Sequence, residues 1–362
     1  MNGTFLIILL AAFISFILPA IIYSFIVKKR GRFNSDNSKN TSLFLPFALS
    51  LFAVSVALYY TVYDNRDFLT VMTSTELIIP FISAIIIGII GTVSKNNKFI
   101  FSLVLLLGSF ASAFVIPDDA IIYIANINPL IVKAGIGLAW FLFSLIYRYA
   151  NVGDAILSIQ SITIAVGIAL LGLIGAIPAF LGFLGIMYTA GFLALMSFTW
   201  YPARLKISNE EACCFGFILF SLIAWTSTEN AAGCVLIFCL YFIIDILWAF
   251  LLKLSFMDKY SNIQQNTSYG KAIELGMIPN LVANYVIRIQ ILLLFLGSFQ
   301  ALADNHFSLL LASSLIAIWF MYRLKNISDG PQSFKDINRQ VLEDLQARIN
   351  DIKQYTNKDN NF

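Results

Sequence analysis

Few side chains in this chain are of types that do chemistry, and their spacing excludes most of it. No Ser/His/Asp set, phosphate-cradling glycine loop or HExxH pattern occurs. The single histidine, His306, falls in a short loop that the charge pattern below places outside, away from the other polar loops. The four cysteines, Cys213, Cys214, Cys234 and Cys239, lie in or at the ends of apolar runs and have no CxxC metal spacing. They read as small packing hydrophobes. Three polar features remain. The stretch Trp200–Phe217 is polar and basic and is wedged between two long apolar runs. Asp245 and Arg288 are charges inside apolar runs. In lipid each needs a partner or a wet cavity, so the two are expected to pair or to face one polar cleft. The acidic pair Asp118–Asp119 reads as a hairpin cap rather than a metal site.

The elements that must position these residues are apolar. The chain has 362 residues, 59% hydrophobic and only 12% charged. A soluble domain carries about 25% charged residues. Eleven apolar runs can be drawn, at 3–27, 43–63, 71–93, 99–116, 131–149, 155–174, 177–199, 211–226, 231–252, 281–302 and 307–322. Each approaches the roughly 20 residues needed to cross a bilayer. The expected fold is an all-α polytopic membrane protein with about 11 transmembrane helices. Glycines between Gly172 and Gly185 are read as close helix packing.

Charge sets the expected orientation. Twenty of the 23 Lys and Arg fall in alternate loops or in the tail; Arg66, Lys133 and Arg288 do not. The positive-inside rule makes the rich side cytoplasmic, with the N-terminus outside and the C-terminus inside. A net charge of +3 is too small to imply nucleic acid and is explained by topology. Residues 1–325 form the membrane domain. Residues 326–362 form a cytoplasmic tail, with an amphipathic helical stripe at Ile337, Val341, Leu345, Ile349 and Ile352.

Four cytoplasmic segments, in order, resemble the polyprenyl-phosphate sugar-1-phosphate transferases. Where that family has G-L-x-D-D after its third span, this chain has Gly91-Thr92-Val93-Ser94-Lys95. The family's N-x-x-N-F-x-D-G-x-D-G aligns with Leu145–Ala155. There Asn151 stands at the first aspartate, Asp154 at the second, and Leu145 and Arg148 at the asparagines. The family's P-A-[KR]-x-F-M-G-D-x-G-S-x-F-L-G-F aligns without a gap from Pro202 to Phe217, with Ser208-Asn209 for G-D. Asp245 resembles an aspartate of the span before the H-R-x-H-x-Y loop, which is matched by Gln264–Tyr269 with Gln264 and Thr267 for the histidines. The resemblance covers residues 1–325. It implies a bacterial cytoplasmic (inner) membrane protein of lipid-linked envelope glycan synthesis. Active members move a sugar-1-phosphate from a UDP-sugar to undecaprenyl phosphate with magnesium.

The departures alter what the resemblance implies. With Ser94, Lys95, Asn151 and Asn209 at carboxylate positions, Asp154 is the only surviving family carboxylate and is too little for a magnesium site. Glu210 and Glu211 could compensate only by shifting one or two residues. The expectation is a non-catalytic relative with no cofactor. Lys95, Arg148, Asn151, Arg204, Lys206 and Asn209 would bind a lipid phosphate, and a membrane protein or a second copy would be a partner. The alternatives are an active, divergent transferase using Asp154, magnesium and a nucleotide sugar, and an unrelated transporter.

Overall fold

The computed structural model describes residues 2–32, 42–62, 74–93, 97–118, 128–151, 155–255, 263–302 and 306–328. Among these, every regular element is helical. Helices α1 (Asn2–Arg32), α2 (Phe44–Val62), α3 (Ser74–Val93), α4 (Lys98–Phe114) and α5 (Pro129–Tyr147) come first. They are followed by α6 (Ile156–Leu173), α7 (Ala179–Thr199), α8 (Asn209–Thr226) and α9 (Ala232–Ser255). Two short helices, α10 (Ile263–Asn266) and α11 (Ser268–Glu274), precede α12 (Pro279–Gln300) and α13 (His306–Ser328). In hydrocarbon every backbone N–H and C=O must be satisfied within the segment, which is why apolar runs of this length become helices.

Eight of the described helices are long and apolar enough to cross a membrane. Phe44–Tyr59 in α2, Lys98–Phe114 and Ser308–Leu324 in α13 are apolar but shorter. The chain is a multi-pass membrane protein. Its outward faces carry a belt of exposed apolar side chains, among them Phe25, Phe99, Leu107, Phe295 and Trp319. A soluble protein could not leave that many large apolar groups uncovered.

Two clusters hold the bundle together. The larger joins α2, α5, α6, α7, α8 and α9 around Phe47, Trp140, Tyr188 and Phe215. The smaller joins the start of α6 to α9, α11, α12 and α13 around Tyr241, Tyr269 and Val286. The α6–α7 hairpin is the closest pair. A Cβ at Gly182 would strike the backbone of Gly172, and one at Gly185 would strike the backbone of Ala169. Gly175, at φ +74°, makes the turn between them, in the left-handed region that suits glycine. The glycines of this segment serve helix packing.

The described part of the longest polar connection, residues 263–278, is built into the fold. Tyr269 is fully buried, and α11 packs on α12 and α13. Thr267 caps α11, accepting from Gly270 N at 3.1 Å, and its hydroxyl donates to Gln264 O at 2.7 Å. At the other end of the bundle, Lys133 pairs with Asp118 at 2.6 Å and ties the α4–α5 hairpin. Asp119 and the tail stripe lie outside the described residues. All four cysteines are buried and unpaired.

Gly182→Val should lower the melting temperature of the detergent-purified protein, at a cost on the order of 1–3 kcal/mol for forcing the hairpin apart. Gly135→Ala is the control. Nothing lies within 4 Å of a Cβ at Gly135, so the substitution should be neutral or stabilise the helix by up to about 1 kcal/mol.

Candidate functional site

Three of the four segments singled out in the sequence meet through hydrogen bonds at one end of the bundle. The chain leaves α5 through a 3₁₀ turn, Arg148–Ala150, which packs on α8 and α10. The connection from α7 to α8 is anchored by Leu205, 1% exposed, and by Arg204 N and Leu205 N donating to Phe198 O at 3.0 and 3.1 Å. Arg204 and Lys206 flank that buried leucine and are both exposed. α8 opens with a capping box. Ser208 Oγ accepts from Glu211 N at 3.2 Å, and Glu211 Oε2 accepts from Ser208 N at 3.0 Å.

Gln264 is the hub. Its Nε2 donates to Arg148 O at 3.1 Å and Asn209 Oδ1 at 3.2 Å, with Asn151 O at 3.5 Å. Asn151 Nδ2 donates to Ile207 O at 2.7 Å. Tyr269 Oη donates to Tyr149 O at 3.1 Å. Burial, aided by the nearby Asp245 carboxylate, holds the Tyr269 phenol well above its ordinary pKa and keeps it a donor. Arg148 donates to Tyr149 Oη at 2.7 Å and lies over the Tyr149 ring, 4.7 Å from its centroid. That contact leaves the remaining guanidinium N–H groups for an anion. The fourth segment is close by: a Cβ at Gly91, near the end of α3, would sit 3.7 Å from Glu210 Cβ. Ser94, Lys95 and Asp154 lie outside the described residues.

The described residues do not fit a magnesium site. Asn151 spends its amide N–H on a carbonyl, which no carboxylate could do. Both oxygens of Glu211 accept backbone N–H groups, from Ser208 and, at 2.5 Å, from Leu43. Glu211 therefore ties the start of α2 to the start of α8, and no shift toward a metal is open to it. No group of three His, Cys, Asp or Glu side chains able to hold a metal occurs among the described residues. What the site presents instead is cationic: Arg148 half-buried, Arg204 and Lys206 exposed.

Asp245 and Arg288 do not pair with each other. Asp245 is fully buried, and its Oδ1 accepts from Ser268 N at 2.8 Å, at the start of α11. Arg288 is exposed and lies over the Tyr285 ring, 5.5 Å from its centroid. The helical period explains the separation. The buried stripe of α12 runs through Val286 and Gln290, so the residue midway between them points away from it. Sequence pattern did not single out Gln264 as a hub. Its one signal was an amide at a family histidine position.

Asn151→Asp should cost about 1–3 kcal/mol, because an acceptor would then face Ile207 O. Asn209→Asp should be neutral within about 0.5 kcal/mol, because Gln264 donates equally well to a carboxylate on an exposed residue. Melting curves of the two variants in detergent check this contrast.

No protein-family model matches this chain, and no curated protein does.

Proposed function

We propose that the chain is a non-catalytic relative of the polyprenyl-phosphate sugar-1-phosphate transferases that binds a lipid phosphate in lipid-linked envelope glycan synthesis. It crosses a bacterial cytoplasmic membrane eleven times, with its N-terminus outside and its tail inside. The observation that carries this reading is the meeting of Arg148–Asn151, Ile207–Asn209 and Gln264 at one end of the bundle. Segments that resemble the family's loops only one by one in sequence become a single site.

The polar groups there support binding rather than catalysis. Amides stand at the carboxylate positions Asn151 and Asn209, and the Asn151 amide is a donor that the loop geometry uses. An anion arriving from the membrane meets Arg148, Arg204 and Lys206; Lys95, outside the described residues, is proposed to join them. Charge-assisted hydrogen bonds from such groups hold a phosphate monoester without a metal. The apolar outer faces of the neighbouring helices suit an isoprenoid chain. A partner transferase or a second copy would receive or deliver that lipid.

The purified protein should bind undecaprenyl phosphate saturably. Arg148→Ala combined with Arg204→Ala should weaken binding at least tenfold, roughly the loss of one or two charge-assisted contacts. With labelled UDP-GlcNAc and magnesium it should release no UMP. UMP release that Asp154→Asn abolishes would establish an active transferase instead, and absence of lipid-phosphate binding would remove the proposal.

A further inference from the structure

The bundle core holds polar groups that the loop site does not use. Gln160 of α6, Asp245 of α9 and Gln290 of α12 are 0%, 0% and 1% exposed. Both amide atoms of each glutamine and Oδ2 of Asp245 lack any hydrogen-bond partner. Buried polar groups in native interiors are almost always satisfied by protein, water or an ion. Three such groups on three helices call for one explanation.

Helix register brings them to one level. The Phe238 ring lies where a methyl on Gly167 or Gly297 would have to go, so it sits between α6 and α12. α9 runs toward the loop site, whereas α6 and α12 run away from it. Seven residues toward the loop site from this contact are Asp245 on α9, Gln160 on α6 and Gln290 on α12. Seven residues are nearly two helical turns, which returns each side chain to the same face about 10 Å along the axis. The same register explains why Gln300 lies against Gly233, at the other end of the α9–α12 pair. The three helices pack pairwise, so this register sets the three polar residues on the faces that meet where Phe238 sits between α6 and α12, two turns nearer the loop site.

We propose that Gln160, Asp245 and Gln290 form an intramembrane binding site for a single monovalent metal cation. The junction supplies one carboxylate oxygen and two amide oxygens, all hard donors. One negative charge balances one positive charge, so the occupied site is neutral in a low-dielectric core. A divalent ion would leave a net charge buried there. Asp245 also holds Ser268 N, so the cation stabilises the docked segment α10–α11 that carries Gln264. The site makes no use of the lipid-phosphate reading and stands or falls separately from it.

The test uses the full chain in detergent, with melting temperature followed as sodium or potassium chloride replaces choline chloride at constant ionic strength. Choline is a quaternary ammonium whose methyl groups keep oxygen donors from its charge. One alkali cation should raise the melting temperature saturably, by about 5 °C at a hundredfold excess over its Kd. Asp245→Asn should abolish the shift. Gln160→Met and Gln290→Met should each raise the half-saturating concentration at least tenfold. Equal melting temperatures in choline, sodium and potassium for the unmodified protein would overturn the proposal, as would an unchanged response in Asp245→Asn. If Asp245→Asn does not fold, the choline comparison and the two methionine variants decide.

Discussion

The bond from Ser268 N to the Asp245 carboxylate is the contact on which the polar end of this protein depends. It fixes the start of α11 against α9 at a depth where water does not compete. Once α11 is held there, Thr267 caps it and Gln264 is carried to the ends of α5 and α8. Tyr241 adds a second tie, its hydroxyl 3.0 Å from Ser268 Oγ. A buried carboxylate is costly unless its lone pairs are met, so this aspartate both demands and organises its surroundings. Part of that demand is met by Ser268; Oδ2 has no hydrogen-bond partner among the described residues.

The loop site is a network of neutral donors and acceptors with cations at its margin. Such a network holds the loops together without assembling charge. A magnesium-dependent site asks for the reverse: several carboxylates kept close against their mutual repulsion until the ion arrives. Asn151, Asn209 and Gln264 add no charge, and their bonds tie one loop to another. Glu211 is occupied by two backbone N–H groups and holds α2 to α8. Hydrogen bonds between the described loops tie them to one another.

Much of this was legible in the residues alone. Runs of about twenty apolar residues have one stable form in lipid, so the helices followed from composition and length. Glycines from Gly172 to Gly185 announced a close hairpin because only small residues let backbones touch. The polar, basic character of Trp200–Phe217 marked the loop that lies beside Asn151 and Gln264. The burial of α10 and α11 was not legible: it comes from contacts with α9, α12 and α13, and the two helices are too brief for a periodic signal.

The sequence by itself determined that the chain lives in a membrane as helices, because the cost of an unsatisfied backbone in hydrocarbon leaves no other choice. It also determined which polar residues stand between the apolar runs. Only the tertiary structure decided what those residues do. An expected pair, Asp245 and Arg288, is separated because one lies on a buried face and the other points outward. Three polar residues far apart in the chain, Gln160, Asp245 and Gln290, share one level because Phe238 fits between Gly167 and Gly297. Helix register is set by how side chains interlock between neighbours, and no single helix carries that information.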